Sequence, residues 1–539
     1  MTGRCGRSSR SPERTLSQKV TRQMMKDPAP LVLGVDCSTT ACKAIVWDCR
    51  GRSIASGYSS LALLTPQPAW HEQPAESWWV SMTHAIRQAL SQVDARRLKA
   101  LCIAHQRETF VPLDEHDRPL INGILWMDER ARELLPSLEQ TLGQDKFHHL
   151  TGKRLSVNLT IAKIAWLKEH RPEVFARTRK YLDVHGFLVH RLTGFYRTGW
   201  GCADPTGLFD VQKDCWAESL LDQVEIRLDQ LPEVDPPGTI VGALTPTAAE
   251  ACGAPVGLPV VAGIGDGQAS GLGVNITSPG DAYLSLGTSV ISGTFSDQYI
   301  YDPAFRTMTG GIPGSYLLET VQLGGGYTLA WFLEKIASQP GQDVAQLQDF
   351  YDQAASVVPP GSAGLVAVPY WNSVLGPYWD PFASGIIVGW RGFHGLPHLY
   401  RAILEGVAFE QYLGTLGVEK ALGQPVKRYI AIGGGAQSDL WCQIIADITG
   451  KPVFRAATTE AAALGAGILA AAAVGCYANA REAAQEMTHI LLQPIEPNTS
   501  RHAFYNRLFE EVYRPLFPAL QHYLDRLASI SSPGAPYEG

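Results

Sequence analysis

Apolar and polar positions follow two different periods along this chain. Residues 31–48, LVLGVDCSTTACKAIVWD, place two β-rich apolar runs around the polar turn CSTTAC, which predicts a hairpin. Residues 282–295, AYLSLGTSVISGTF, repeat that layout around a Gly-Thr-Ser turn. Two hairpins with threonine-bearing tips, about 250 residues apart, predict a duplicated architecture. Between them the pattern alternates α and β. Glu76–Val93 and Ile161–His170 have helical spacing, and Lys99–Gln106 reads as a buried strand. The stretch YLDVHGFLVHRLTG reads as a helix closed by Gly194, and residues 232–245 as a Pro-rich connector. GLPVVAGIGD is then a strand running directly into Asp266, and the chain closes in a helical tail from about Asn498 to Ile530. The charges of that tail, as in RLFEEVYR, predict a solvated helix face.

Composition narrows the class. A chain of 539 residues exceeds what one core supports, so two or more domains are expected. The balance of 45% hydrophobic and 18% charged residues is that of a soluble globular protein. A net charge of −7 gives no reason to expect a nucleic acid partner. No run of about 20 apolar residues predicts a membrane span. The segment Ala461–Gly475, rich in alanine and glycine, reads as a buried helix that another backbone approaches closely. The ten cysteines form no CxxC pair, and Cys37, Cys42 and Cys49 lack zinc-site spacing, which predicts a reduced, cytoplasmic protein. The basic residues 1–28 lack the apolar block of a secretory signal. They read as a disordered leader or a start at Met24 or Met25, with a transit peptide as the alternative.

Three places carry candidate chemistry. Asp36 ends an apolar strand just before Ser38, Thr39 and Thr40. A carboxylate facing hydroxyls and turn N–H groups suits magnesium and a polyphosphate, with Lys43 adding positive charge; an Asx-turn explains the same residues equally well. Gly433, Gly434 and Gly435, then Ala436 and Asp439, follow the strand KRYIAI and let a ligand touch backbone. The spacing fits neither a dinucleotide fingerprint nor a P-loop. Asp266 stands in GIGDGQASGLG among five glycines. As an N-cap it would stabilise the next helix by about 1 kcal/mol. Capping leaves the bareness of the helix unexplained, whereas close approach by another segment and by a substrate hydroxyl explains it. Asp266 is therefore read as both cap and catalytic base.

With these residues in view, the chain resembles the FGGY carbohydrate kinase family, from about Leu31 to Ala472. N-x-T-x-x-K-x-x-W-L-x-E, Asn158 to Glu169, is similar to one family signature except at Asn158. GIIVGW, seven residues, then HLYRAILE, Gly385 to Glu405, is similar to the other except at Trp390. The resemblance implies an α/β protein with two ribonuclease-H-like domains of the actin and hexokinase type around an ATP cleft. Its expected divisions are a leader at 1–29, an N-terminal domain at 30–275, a C-terminal domain at 276–475 and a helical extension at 476–539. It makes Asp266 the base, and Asp36 with Asp266 the magnesium ligands. Ser38, Thr39, Thr40, Lys43, Gly287 and Thr288 then face phosphates, and Gly434, Gly435, Ala436 and Asp439 border the nucleotide.

For the acceptor the resemblance implies Gln106, Arg107, Glu108, Trp126, Asn158 and Asp266. HQRET, His105 to Thr109, is similar to glycerol kinases, where an Arg-Glu pair grips hydroxyls. Asn158 and Gly267 stand where those enzymes carry bulkier residues, which predicts a roomier pocket. The blocks around LDVHGFLVHRLTG and DPTGLFDVQKDCW look xylulokinase-like. The expected activity is ATP-dependent phosphorylation of a ketopentose such as xylulose. A kinase of glycerol or another short polyol, or a non-catalytic sensor of the same fold, are the alternatives. The family is compatible with a homodimer.

Overall fold

The computed structural model describes residues 30–338 and 344–531. The expected leader at 1–29 and the last residues of the extension lie outside the described residues. The first predicted hairpin forms as expected: β1 (Leu31–Cys37) pairs antiparallel with β2 (Ala41–Asp48), and Asp36 lies opposite Lys43. β3 (Ser53–Ser60) adds antiparallel to β2, and β4 (Leu98–His105) lies parallel to β1 on its other side. β5 (Ile240–Ala243) and β6 (Pro259–Gly265) complete a sheet of order β5-β6-β4-β1-β2-β3. Its central strands are apolar runs because helices cover both faces. The helix α1 (Ala75–Leu90) buries Trp78, Met82 and Ile86 against one of them.

The second hairpin is β7 (Asp281–Leu286) with β8 (Val290–Ser296). With β9 (Arg306–Thr309), β10 (Tyr316–Gln322), β11 (Arg428–Ile432) and β12 (Val453–Arg455) it forms a sheet of order β9-β10-β8-β7-β11-β12. Each sheet thus contains an antiparallel meander of three strands, continued by two strands parallel to the first of them. In chain order this is the 3-2-1-4-5 arrangement twice over, β3-β2-β1-β4-β6 and β10-β8-β7-β11-β12. The duplication read from the hairpins is real at the level of topology.

Four further helices position the site. α2 (Thr160–His170) and α3 (Val184–Thr193) belong to the first half, and α4 (Asp266–Leu272) follows β6. α5 (Leu396–Leu422) is the long helix of the second core. After it come α6 (Asp439–Thr449) and α7 (Ala461–Ala473). α7 behaves as its composition predicts. A Cβ on Gly34 would lie 2.0 Å from Ala463 O, and one on Gly465 would lie 2.0 Å from Ala269 O. Small residues therefore let α7 wedge between β1 and α4. The tail helices α8 (Thr499–Leu508) and α9 (Arg514–Ser531) bury Tyr505 and Phe517 in the second core, while Glu510 and Glu511, in the wider helical turn Phe509–Tyr513 that joins them, stay in solvent. Among the described residues no helix is long and apolar enough to cross a membrane.

Three local expectations need correction. Lys180–Asp183 is a strand, and α3 starts only at Val184, because Asp183 caps it by accepting from Gly186 N–H at 2.8 Å. The Pro-rich connector holds two short strands, at Glu233–Asp235 and Ile240–Ala243. Asp266 does not cap α4. It is the first helical residue, with Gly265 at the N-cap, and its Oδ1 accepts from the adjacent Gly267 N–H at 2.8 Å.

Candidate functional site

The two hairpin tips face each other across a cavity of about 460 Å³. Ser38, Thr39 and Thr40 line it from the first half, and Gly287, Thr288 and Ser289 from the second. Arg107, Glu108, Trp126, Asn158 and Asp266 line the same cavity. Arg107, Glu108 and Asp266 each sit where a strand has just ended, whereas Asn158 lies in the turn that leads into α2. β4 delivers Arg107 and Glu108, and β6 delivers Asp266. Glu108 adopts a φ of +56°, a conformation a non-glycine residue holds only where its surroundings fix it.

Asp266 opens onto the cavity with 40% of its side chain exposed. Burial of the surrounding cleft raises its carboxyl above the usual carboxylate range, and the Arg107 guanidinium opposes that rise. Arg107 Nε lies 3.1 Å from Asp266 Oδ1. The same guanidinium donates to both oxygens of Glu319, at 3.1 and 3.0 Å. Glu319 in turn accepts from Arg306, whose other nitrogen reaches Glu108 at 3.0 Å. A continuous chain of charge therefore runs Asp266–Arg107–Glu319–Arg306–Glu108, with Glu319 and Arg306 supplied by β10 and β9 of the second half. Burial works to raise the Glu319 carboxyl, but the two arginines outweigh it and hold it at about 2.

The bare glycines around Asp266 make room for this network. A Cβ on Gly265 would meet the Arg107 chain at 2.4 Å, and one on Gly267 would meet Glu319 Oε2 at 2.8 Å. The expectation that Gly267 enlarges the substrate pocket is corrected here: Arg107 and Glu319 fill that space.

Trp126 presents its ring to the cavity and donates Nε1–H to Thr39 Oγ1 at 3.0 Å. Its carbonyl accepts from Lys163 Nζ and from Asn158 Nδ2, at 3.1 and 3.2 Å. Thr160 Oγ1 donates to Glu108 O at 3.0 Å. Two residues of the first signature motif, Thr160 and Lys163, thus hold the loops that carry Glu108 and Trp126. The second motif serves packing. Arg401 and Glu405 pair at 2.7 Å and are tied to Tyr505 of the tail.

The remaining expected site residues lie behind or beside the cavity. Gln106 is buried, bonded to Ser38 O, Gln73 Oε1 and Thr109 Oγ1. Lys43 turns to Glu460 at 2.9 Å rather than into the cavity. Gly433 has φ +85°, and a short 3₁₀ turn at Gly434–Gln437 precedes α6, whose N-cap is Ser438 rather than a glycine. Gly434 faces open space, Gly435 lies against Trp441 and Leu286, and Ala436 is buried. Asp439 is exposed and paired with Arg455 at 2.6 Å. This segment adjoins the Gly287 turn because β11 runs parallel to β7, with Ile432 opposite Ser285. Sequence reading missed Lys153, Arg154, Ser156, Arg306 and Glu319. Only Glu319 left a signal there, a lone acid inside the apolar strand YLLETVQ.

Asp36 tests whether a cation suits the site. Its Oδ1 is buried and has no hydrogen-bond partner among the described residues. Burial, and then the nearby Asp266 charge, push its carboxyl up to about 7. Asp36 sits behind the residues that line the cavity, but its carboxylate is coupled electrostatically to that of Asp266, which does line it. Two such carboxylates, one with an orphaned oxygen, beside a rim of hydroxyls and turn amides, fit a hard divalent cation and a phosphate chain.

Comparison with known proteins places this arrangement. The N-terminal domain of the FGGY family of carbohydrate kinases matches residues 31–273, and the C-terminal domain of that family matches residues 282–474. The xylulose kinase of Escherichia coli (strain K12) is 31% identical over 91% of this chain and 100% of its own length. The glycerol kinase of Geobacter sp. (strain M21) is 30% identical over 90% of this chain and 96% of its own. The crystal structure of a gluconate kinase from Lactobacillus acidophilus superposes with a TM-score of 0.86 at 25% identity, covering 93% of this chain and 100% of that one. The chain belongs to the FGGY family of carbohydrate kinases.

Proposed function

We propose that this FGGY-family kinase transfers the γ-phosphoryl group of ATP to a hydroxyl of a ketopentose such as xylulose, with Asp266 as the general base. The observation that carries the reading is that Asp266 and the tips of both hairpins share one cavity. Gly267 N–H and Arg107 Nε both engage Asp266 Oδ1, which leaves Oδ2 for the substrate hydroxyl. An alcohol is too weak an acid to ionise first, so Asp266 takes the proton as the oxygen attacks. Thr39, Thr40, Gly287 and Thr288 are assigned to the phosphates. Gly434, Gly435, Ala436 and Asp439 are assigned to the border of the nucleotide. Asp36 and Asp266 would hold magnesium, which supplies positive charge to the transferring phosphoryl group. Closing the two halves on each other excludes the water that would otherwise take the phosphoryl group.

The xylulose reading draws on the similarity to a xylulose kinase and on the commitment of Arg107 and Glu108 to Glu319 and Arg306. A guanidinium and a carboxylate already engaged in this way keep fewer positions for gripping a compact polyol such as glycerol. The test is ATP turnover with xylulose, ribulose, glycerol, erythritol and gluconate. The highest kcat/KM is expected with a ketopentose; preference for glycerol or gluconate moves the acceptor class, and no stimulation by any of them leaves the sensor reading. Asp266→Asn is expected to lower kcat by about 10²–10⁴-fold while nucleotide binding stays within a few-fold. An active variant removes the base assignment.

A further inference from the structure

Away from the cavity, beneath the loop that carries Gln106 to Glu108, three metal-ligating side chains from separate parts of the chain come together. His105 is the last residue of β4, flanked in the sheet by Cys37 and Gly265. Asp183 is the N-cap of α3, and Cys202 lies in the short helix Trp200–Ala203. All three are buried, and their ligand atoms lie within 4.8 Å of one another.

We propose that His105, Asp183 and Cys202 form a structural site for a zinc-class divalent cation. Two observations point to a missing ligand there. Neither ring nitrogen of His105 has a hydrogen-bond partner among the described residues, although the side chain is fully buried. A buried imidazole normally has at least one partner, and a bound ion is one of the few explanations for an orphan. Asp183 is likewise buried with no lysine or arginine paired to it among the described residues. His105 Nε2 stands 4.0 Å from its Oδ1. The carboxylate is oriented by Gly186 N–H at 2.8 Å and by Thr198 Oγ1 at 3.0 Å, as outer-shell partners orient a ligand.

The chemistry of the set agrees. One nitrogen, one oxygen and one sulfur donor are ligands zinc accepts, at about 2.0–2.3 Å, so modest side-chain contraction supplies three of the four tetrahedral positions and leaves the fourth to one enclosed water. Burial keeps the imidazole neutral, its pKa pushed down to about 3, which leaves a ring nitrogen free to ligate. It also holds the Cys202 thiol protonated in the metal-free protein. Binding releases that proton to solvent, so Zn²⁺, one thiolate and one carboxylate sum to zero charge, which suits a site closed off from bulk water. The second buried histidine nearby, His185, is not a competing ligand. Its Nε2 accepts from Gly263 N–H at 2.9 Å and its Nδ1 pairs with Thr198 Oγ1 at 3.1 Å. A metal here would clamp the end of β4 against α3 directly below Arg107.

The test uses the full-length chain purified from zinc-supplemented medium and desalted. Elemental analysis is expected to find close to one zinc per chain, lost in both Cys202→Ala and His105→Gln. Cobalt(II) added to the chelator-stripped wild type is expected to give a thiolate-to-cobalt charge-transfer band that Cys202→Ala lacks. A folded wild type that holds no zinc and shows no such band after reconstitution would overturn the proposal. Retention of zinc by Cys202→Ala would overturn it too, and would point instead to Cys49 and Cys476, whose sulfurs lie 3.2 Å apart. Because the cobalt spectrum is read on the wild type, the test survives even if the variants do not fold.

Discussion

Trp126 donates its indole N–H to the hydroxyl oxygen of Thr39 across 3.0 Å, joining the wall of the acceptor pocket to the tip of the first hairpin. The indole occupies a lone pair of Oγ1, so the Thr39 hydroxyl keeps its own proton to donate, under the proposed reading, to a phosphate oxygen. Trp126→Phe keeps a ring in the pocket and removes the donor. A neutral hydrogen bond contributes about 0.5–1.5 kcal/mol, so kcat/KM should fall about 2–10-fold. The loss should sit in the KM for ATP. Steady-state kinetics with both substrates varied decide it: a loss confined to the sugar KM would detach the tryptophan from the phosphate turn.

Glu319 holds two buried arginines, and its removal tests the charge network. In Glu319→Gln, Arg107 and Arg306 share a single carbonyl acceptor where two carboxylate oxygens stood, and they lose the central negative charge. Taking one partner from a buried ion cluster costs about 3–5 kcal/mol. Urea unfolding should show a loss of that order. Arg107 is left with Asp266 as its carboxylate partner, so turnover should fall by more than the sugar KM rises. Unchanged stability would mean that the network is held open to water, contrary to the full burial of the Glu319 side chain.

What the sequence made legible follows from the range of the forces involved. The hairpins, β6 and Asp266 could be read because strand alternation and turn chemistry are local. The Gly-rich face of α7 could be read because only a close neighbour explains it. The strand at Lys180–Asp183 was hidden by the helical continuation after it, and only the capping bond of Asp183 divides the two. Arg306 and Glu319 could not be assigned. Arg107 and Glu319 are 212 positions apart, and their meeting depends on how the two halves face each other, which no local pattern encodes. Thr160 and Lys163 were visible as motif residues, but their work, bonding the carbonyls of Glu108 and Trp126, is tertiary.

Glu410 gives the pH dependence. It is buried in α5, where burial raises its carboxyl to about 7 against hydrogen bonds from Tyr513 and Tyr370 to Oε1. The folded state therefore holds this proton more tightly than the unfolded one. That stabilisation is complete at low pH and is lost as pH rises from the ordinary glutamate range through about 7. Glu410→Gln keeps the oxygen that accepts both tyrosines and removes the titration. The variant should match the wild type near pH 5 and exceed it at pH 8, by up to about 3 kcal/mol. Denaturant melts at the two pH values measure this, and a gap that does not widen with pH would contradict it.

Gly465 separates the stability of the fold from the placement of the base. A Cβ there would lie 2.0 Å from Ala269 O and 2.7 Å from its carbonyl carbon, contacts with backbone that no rotamer change can relieve. Gly465→Ala gains helix propensity of up to about 1 kcal/mol, but α7 and α4 must move apart to admit the methyl group. Overpacking of this kind costs about 1–3 kcal/mol. The net change in Tm should therefore be a modest fall. Activity should fall further, because the helix that moves begins at Asp266 and its first turn is packed against Arg107 and Glu319. Gly475→Ala is the control: no atom lies within 4 Å of its added Cβ, but its φ of +76° carries strain with no shift of α4. It should lose stability while keeping kcat. If both variants lost activity only in step with stability, close packing by α7 would have no part in positioning the base.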